Sequence, residues 1–381
     1  MSAYPEEDKK QIPFEFIDVV SAKPKELLFI AFPLAVLYRV FKWCAPIRKL
    51  IAKNKIIRAY LECDAVLDET GISFADSRGF VMNTYAFVRA AVPLLVGTSV
   101  MKYSQAMGTF HSFWNRFLAK WILPKLKLIC VRGEGTFENL KQIGITKNVR
   151  ICADGAFTMP DSEKHDAMVN EVCAKDTFYD DNVIALSISS VVEIKCKKLS
   201  IPYKEIMQQF TDYLTEQGYH VLFIANAARI DSVKTSNNDL MICDAVYEGV
   251  KNKNMVRWYH KEMDAEEIRA YIGKSRVLVA SRFHAMIGAL EKKVPVLLVG
   301  WSHKYQEVLD MFQLGQYVID FSNLTYESLI KEFENFMKHE QEIRNNIADN
   351  YDSVMESSRD NIRFVKTAVD EIVEKKSQKK F

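Results

Sequence analysis

The sequence lacks the motifs that mark several large classes of protein. Its 381 residues contain no G-x-G-x-x-G fingerprint and no Walker A loop, which argues against the common dinucleotide and P-loop nucleotide sites. The seven cysteines are odd in number, widely spaced and never form a C-x-x-C pair. That pattern is typical of free thiols in a reducing compartment and predicts neither a zinc site nor a disulfide framework. The first 15 residues are polar and acidic without a signal-peptide pattern, so we expect a cytoplasmic protein.

An excess of charge of either sign is also lacking. The chain has 51 Lys and Arg against 49 Asp and Glu, a net charge of +2, and this balance predicts no nucleic-acid partner. Hydrophobic residues make up 49% of the sequence, which is enough for a large core. A chain of this length suits two domains of ordinary size.

No apolar run is long enough to span a bilayer as a helix. The longest, LLFIAFPLAVLY at 27–38, has 12 residues without a charge, whereas a spanning helix needs about 20. It lies in a segment, 23–58, with nine Lys and Arg residues and one acid, Glu26. Two interpretations remain open. The run is either a buried helix with a basic outer face or an interfacial segment that lies on an anionic membrane leaflet.

Short apolar runs alternate with helical patterns along the whole chain. This alternation predicts an α/β fold with parallel sheets that helices cover on both faces. We expect two Rossmann-like lobes, at 1–157 and 181–324, followed by a helical segment at 325–381. The run PLLV at 93–96 is interpreted as a strand that ends in a loop. Ligands of open α/β sheets bind beyond the carboxyl ends of the strands, so candidate site residues are sought there.

Arg282 and His284 directly follow the predicted strand at 276–280 and precede a predicted helix. Residues two apart in an extended stretch point to the same side, and a helix start adds N–H donors and positive potential. An Arg, a His and a helix start together suit a phosphate or carboxylate. The alternative is that Arg282 pairs with a structural acid and His284 caps the turn.

Two further cations follow predicted strands. Arg132 ends the strand at 128–131, and Lys304 follows the strand at 294–299. Taken alone, Arg132 is most simply a surface ion pair and Lys304 a solvated charge. The loop that carries Lys304 is expected beside the Arg282 loop, because sequential parallel strands often lie side by side.

The stretch SRFHA at 281–285, then VPV at 294–296 and then Lys304, resembles the C-terminal signature of polysaccharide pyruvyl transferases. Upstream, the chain is similar to the same family in four shorter stretches, which are DAVL at 64–67, GISF at 71–74, VRGEGT at 131–136 and ADGAF at 153–157. The resemblance covers roughly residues 60–320. The R-x-H-A stretch with its downstream Lys is fairly specific, and each of the other pieces is weak alone.

The resemblance implies two Rossmann-like lobes like those of GT-B glycosyltransferases, with the acceptor on the N-terminal and the donor on the C-terminal lobe. The donor would be phosphoenolpyruvate, with no metal or other cofactor. The acceptor would be a sugar of a cell-surface glycan or of its lipid-linked precursor. His284 and Arg282 match catalytic positions, and five residues match substrate-binding positions: Arg132, Lys304, Ser281, Gly71 and Asp154. Of these, the resemblance implies that Arg132 and Lys304, like Arg282 and His284, belong to the donor site.

The chain departs from the family pattern in its N-terminal lobe. The opening strand and its G-x-x-N-x-G-D loop are lacking, so the resemblance implies a lobe without its first strand. The early glycine cluster is replaced by Glu69, Thr70 and Gly71. Asp68, Glu69 and Asp76 are conceivable acceptor-side groups. The departures leave two alternatives open, which are a nucleotide-sugar glycosyltransferase on the same architecture and a non-catalytic partner in glycan assembly.

Overall fold

The computed structural model describes residues 20, 23–230, 238–300 and 303–378, with the side chains of 303 and 304 excepted. The chain forms two compact units. The first consists of Met1–Gly155 with Ser357–Phe381, and the second is Ala156–Glu356. The expected boundaries were 1–157, 181–324 and 325–381. In the structure, the segment predicted at 325–381 is divided between the two units at residue 356. The prediction about a missing first strand concerns the start of the chain and lies outside the described residues.

A parallel four-stranded sheet forms the centre of the first unit, in the order β1-β2-β3-β4. Its strands are β1 (Ala65–Asp68), β2 (Ser99–Gln105), β3 (Leu128–Arg132) and β4 (Val149–Cys152). Its helices are α1 (Pro24–Glu26), α2 (Phe32–Val40), α3 (Ala45–Ile51), α4 (Lys55–Glu62), α5 (Gly79–Val96), α6 (Phe113–Ile122) and α7 (Glu134–Gln142). All four carboxyl ends of the strands meet at one edge of this sheet.

The strand predicted at 93–96 is wrong. These residues form the last turn of α5, which ends at Gly97 with a φ of +99°, a left-handed conformation that glycine adopts without strain. The apolar run was too short to tell a buried helix end from a strand. The stretch Asp76–Val96 is long and apolar enough to cross a membrane by length and composition alone. Half of its most apolar window is buried inside the protein.

The apolar run at 27–38 is a helix with two different faces. A π-helical turn, Leu27–Ala31, joins α1 to α2. Leu27, Ala31 and Ala35 recur every four residues and are buried in the core of the first unit. Phe29 is 70% exposed and Leu37 is 44% exposed. One stripe of this helix is therefore core and the other meets solvent.

The second unit contains a parallel six-stranded sheet in the order β10-β9-β8-β5-β6-β7. Its strands are β5 (Val183–Ser187), β6 (His220–Phe223), β7 (Val256–Trp258), β8 (Val277–Ala280), β9 (Val296–Gly300) and β10 (Val318–Asp320). Its helices are α8 (Glu163–Lys175), α9 (Ser190–Lys198), α10 (Tyr203–Glu216), α11 (Leu240–Gly249), α12 (Ala265–Ile272), α13 (Phe283–Glu291), α14 (His303–Met311), α15 (Tyr326–Lys338) and the first part of α16 (Glu340–Gln378). The chain runs outward from β5 to β7 and then crosses to β8. This reversal between β5 and β8 is the point at which open α/β sheets bind ligands.

The last helix, α16, belongs to both units. Near its start, Glu340 pairs with Arg276 and Arg344 in the second unit. Farther along, Ser358 and Asn361 donate hydrogen bonds to the backbone carbonyls of Asp154 and Ala153 in the first unit. One continuous helix thus completes the packing of each unit in turn.

Candidate functional site

The loops after β5 and β8 carry the most strongly predicted site residues. Arg282 follows β8 and holds Asp239, whose residue is fully buried, at the start of α11. Its Nε atom donates to Oδ2 of Asp239 at 2.8 Å, and its Nη2 atom donates to Oδ1. Bidentate pairing of this kind fixes the plane of the guanidinium group. Arg282 therefore pairs with a structural acid, as one of the two interpretations of the sequence proposed. Its role in binding the substrate stays a prediction.

Asp239 also organises the neighbouring loops. It accepts a hydrogen bond from the backbone N–H of Ser190 at 2.9 Å and another from that of Ala227 at 3.0 Å. Ser190 begins α9 after β5, and Ala227 lies in the loop after β6. One buried carboxylate thus ties together the loops that follow β5, β6 and β8. Four donors thus satisfy the buried Asp239 carboxylate: two from Arg282 and one backbone N–H each from Ser190 and Ala227. The ion pair therefore holds the guanidinium group in place without the help of water.

Ser281 is buried beneath the same loop. Its Oγ accepts a hydrogen bond from the hydroxyl of Tyr203 at 3.0 Å, and that hydroxyl accepts one from the Ser189 backbone N–H at 3.3 Å. Burial raises the pKa of Tyr203, so its hydroxyl stays protonated at neutral pH. Ser281 is only 2% exposed. In this arrangement it supports the Arg282 loop from below.

His284 lies on the exposed surface of the first turn of α13. Its ring contacts that of Phe283, with 5.5 Å between the ring centroids. Arg282 and His284 thus share one loop at a helix start, as the sequence predicted. The Lys304 prediction lies outside the side chains that the structure describes.

In the first unit, three predicted residues come together at the carboxyl edge of the sheet. Arg132 ends β3, and its Nη1 atom pairs with the carboxylate of Asp154 beyond β4. Its Nη2 atom donates to the backbone carbonyl of Gly71 in the loop after β1. Both side chains of the ion pair are less than a tenth exposed. Arg132 is therefore a buried ion pair rather than the surface pair that its sequence context alone suggested.

Sequence reasoning missed a second buried cluster at this edge. Lys102 on β2 is fully buried, and its Nζ atom donates to Oδ2 of Asp68 at 2.8 Å and to Oε1 of Gln105 at 3.2 Å. Asp68 also pairs with Arg89 on α5. Burial alone would raise the pKa of Asp68, but the charges of Lys102 and Arg89 more than offset it and hold that pKa well below its usual value. Burial lowers the pKa of Lys102. A lysine and a glutamine within 99–105 were the available signal, but no strand is predicted there from the sequence.

The three carboxylates considered for the acceptor side differ in their surroundings. Asp68 belongs to the buried cluster, and Glu69 is exposed. Asp76 accepts hydrogen bonds from the backbone N–H groups of His111 and Ser112, at 2.7 Å and 3.2 Å, and from the side chain of Asn115 at 2.9 Å. Burial alone would raise the pKa of Asp76, but these hydrogen bonds lower it. Asp76 therefore caps the start of α6.

One group of possible metal ligands occurs among the described residues. It consists of His165, Asp264 and Glu266, whose ligand atoms lie within 4.8 Å of one another. Asp264 lies 3.2 Å from Nε2 of His165, and Glu266 lies 3.1 Å from Nδ1. Because the two carboxylates face opposite ring nitrogens, the imidazole could present only one of its nitrogens to a shared ion. In this arrangement the imidazole lies between two carboxylates, with one at each ring nitrogen.

A model of the polysaccharide pyruvyl transferase family matches residues 11–303. The chain belongs to this family. The match includes both Arg282 and His284 and both buried clusters of the first unit. At the level of the family, the protein is a transferase that acts on polysaccharide.

Solved structures of other proteins are similar to this chain in fold. A putative UDP-N-acetylglucosamine 2-epimerase from Listeria monocytogenes is 13% identical, with a TM-score of 0.59, over 93% of this chain and 83% of that chain. Another UDP-N-acetylglucosamine 2-epimerase is 12% identical, with a TM-score of 0.55, over 93% of this chain and 81% of its own. Identities this low concern the fold alone. With the two parallel sheets, they confirm the predicted α/β fold of the GT-B kind.

Proposed function

We propose that this protein transfers a pyruvyl group from phosphoenolpyruvate to a sugar of a cell-surface polysaccharide, or of its precursor, and forms a pyruvate ketal. Membership in the family supports the proposal at a coarse level. The observation that carries it is the loop after β8, where Arg282, oriented by Asp239, lies two residues from the exposed His284. This loop lies beside the reversal of strand order, where a ligand of such a sheet is expected.

The chemistry of the donor suits this loop. Phosphoenolpyruvate carries a phosphate and a carboxylate, with about three negative charges near neutral pH because the second pKa of a phosphate monoester is ~6. The starts of α9 and α13 add backbone N–H donors and positive potential at the same edge of the second sheet. An arginine whose plane is already fixed loses little entropy when it binds an oxyanion. Lys304 is the proposed second cation of the donor site.

His284 is the proposed proton donor. In the first step it protonates the methylene carbon of phosphoenolpyruvate, and positive charge develops at the carbon that bears the phosphate oxygen. A sugar hydroxyl attacks that carbon and passes its proton back to the imidazole. The C–O bond to phosphate then breaks, and a second sugar hydroxyl attacks the same carbon to close the ketal. The proton of this hydroxyl goes to the departing phosphate, which leaves as inorganic phosphate. An imidazole suits both directions of proton transfer because its unperturbed pKa is ~6.5.

Arg132, Asp154 and Gly71 are proposed to shape the substrate-binding edge of the first unit. The Arg132 guanidinium contacts the Asp154 carboxylate and the Gly71 carbonyl. Removal of this side chain would eliminate a positive charge and would also free the loop after β1. Asp68 and Lys102 are too buried to touch a sugar directly and support the same loop from within. Glu69 is the exposed carboxylate here. We propose that the acceptor is lipid-linked at the cytoplasmic face of a membrane.

The test is calorimetric titration of phosphoenolpyruvate into the wild-type protein and into Arg282→Ala. We expect binding by the wild type and at least a tenfold loss in the variant, since hydrogen bonds between charged groups are worth about 1.5–3 kcal/mol. Arg276→Ala is the matched control, because Arg276 precedes β8 at the opposite end of the same strand and pairs with Glu340. The control should bind like the wild type.

Two outcomes would contradict the proposal. A folded wild-type protein that binds a UDP-sugar but not phosphoenolpyruvate would be a nucleotide-sugar glycosyltransferase. A protein that binds neither would be a non-catalytic partner in glycan assembly. Release of inorganic phosphate in the presence of a sugar acceptor, with the mass gain of a pyruvate ketal, completes the test.

A further inference from the structure

The outer face of α6 is apolar where a surface helix is normally polar. Phe113, Phe117 and Trp121 recur every four residues and are 80%, 48% and 51% exposed. The opposite stripe of the helix packs into the core through Leu118 and Ile122. The helix therefore has its buried face satisfied and still presents a second apolar stripe to solvent.

This stripe continues onto α5. The ring of Phe80 at the start of α5 stacks on Trp114, with centroids 4.9 Å apart, and Trp114 lies 6.0 Å from Phe117. Val81 and Met82 extend the surface with 74% and 42% exposure. We call Phe80, Val81, Phe113, Phe117 and Trp121 the aromatic face. Among the described residues, every exposed phenylalanine or tryptophan lies between Phe29 and Trp121.

The segments that carry the aromatic face contain Lys and Arg but no acid beyond Asp76 at the two helix starts. From Ser77 to Gly133 the sequence contains no Asp or Glu, and the same is true from Leu27 to Leu61. Exposed cations flank the face on α6 itself, where Arg116 and Lys120 lie between the aromatic residues. The Nζ atom of Lys125 lies 5.0 Å from the centre of the Trp121 ring. The helix α2, from the basic apolar segment, packs against α5, where Phe32 and Phe87 lie 6.4 Å apart.

We infer that the aromatic face docks on an anionic lipid surface, into which its Phe, Trp and aliphatic side chains insert while the flanking Lys and Arg contact lipid phosphates. Exposed aromatic residues among cations are the composition of interfacial helices. Exposed aromatic residues among cations could also bind single-stranded nucleic acid. The apolar side chains of Val81 and Met82 fit lipid hydrocarbon better than they fit stacked bases. A symmetric contact with a second copy would place the Lys and Arg side chains of this surface against their own copies, and the repulsion between like charges opposes it.

The position of the face connects it to the proposed function, on which this part of the inference rests. The helices α5 and α6 follow β1 and β2, so both begin at the carboxyl edge of the first sheet. Asp76 joins the two helix starts, because it precedes α5 and caps α6. Arg132 and Gly71 lie at the same edge. A membrane against the aromatic face would therefore lie near the edge at which we propose that a lipid-linked sugar is bound.

The experiment is sedimentation of the full protein with vesicles of phosphatidylglycerol and, separately, of phosphatidylcholine. The test variant is Phe113→Ser/Phe117→Ser/Trp121→Ser. The matched control is Met168→Ser/Ile194→Ser/Leu199→Ser, which removes three exposed apolar side chains from the second unit. We expect the wild type and the control to bind phosphatidylglycerol, and the test variant to bind at least about tenfold more weakly. Substitution of Lys120 and Lys125 by Glu should weaken binding to phosphatidylglycerol by about fivefold or more per cation.

Four outcomes would overturn the inference. The wild type could fail to sediment with phosphatidylglycerol, or the test variant could sediment as well as the wild type. Alternatively, light scattering could show a dimer that the test substitutions convert to a monomer, or a single-stranded RNA could displace the wild type from vesicles. Circular dichroism of each variant checks that it is folded. Binding of phosphoenolpyruvate is measured in parallel, so that a failure of the proposed reaction is separate from a failure of docking.

Discussion

Arg282 and Asp239 form a bidentate ion pair between the loop after β8 and the start of α11, with the Asp239 carboxylate fully buried. The two residues are 43 positions apart in the sequence. The pair fixes the plane of the one arginine that the family resemblance assigns to catalysis. The same pair means that Arg282 also contributes to the stability of the second unit.

The first prediction concerns this pair. Asp239→Asn should lower the free energy of unfolding by about 3–5 kcal/mol, because it leaves the Arg282 charge partly buried without its partner. Urea unfolding followed by circular dichroism measures the loss. Asp360→Asn is the control, since it removes one member of the exposed Arg363–Asp360 pair and should cost less than about 1 kcal/mol. Equal small losses in both variants would show that the buried pair contributes little.

The second prediction is a pH dependence that belongs to Asp68. Its folded-state pKa is held below the unfolded value of ~3.9 by Lys102 and Arg89 despite burial, so it stabilises the fold above pH ~4. That stability is lost as the pH falls through the folded-state pKa. The difference in unfolding free energy between wild type and Asp68→Asn should therefore be largest at pH 7 and shrink below pH 4. A difference that stays constant from pH 7 to pH 3 would rule out this linkage.

The third prediction separates two residues at the start of α6. Asp76→Ala should lower the free energy of unfolding by about 1 kcal/mol, because it removes the acceptor for the His111 and Ser112 N–H groups. Ser112→Ala should cost much less, since the Ser112 side chain makes no capping hydrogen bond although the residue occupies the N-cap position. Thermal unfolding of the two variants side by side gives the comparison. The reverse order would mean that Ser112 caps the helix in solution.

The fourth prediction tests proton transfer. His284→Gln should lower the rate of phosphate release by about 10²–10⁴-fold, the usual range for the loss of a general acid or base. Calorimetry should show phosphoenolpyruvate binding within a few-fold of the wild type. His260→Gln is the control, because His260 is exposed and pairs with Asp244 away from the β8 loop. Near-full turnover by His284→Gln would remove His284 from the mechanism.

Much of the fold followed from the order of apolar runs and helical patterns. The strands at 128–131, 276–280 and 294–299 are predictable because each run is mostly aliphatic and is followed by polar or glycine residues. The run at 93–96 was misassigned because four apolar residues before a glycine fit a helix end equally well. Periodicity thus decided long elements and failed at a short one.

The candidate site was predictable in part. Arg282 and His284 are neighbours in sequence, so one strand end located both. Asp239 and Lys102 are brought to their partners only by the sheet, and nothing beside them in the sequence distinguishes a buried charge from a solvated one. The same reason made Arg132 look like a surface residue although it lies between Asp154 and Gly71.

The path of α16 has a consequence for the order in which the chain folds. The backbone N–H of Ala153 donates to Ser357, and its carbonyl accepts from Asn361, more than 200 residues later. When the first unit leaves the ribosome, the N–H and C=O groups of Ala153 at the end of β4 therefore lack these partners. The partners are synthesised only after the whole of the second unit. We expect a nascent chain stopped at Glu356 to leave that strand end open to chaperones and proteases, and the first unit to close only when the last helix is released.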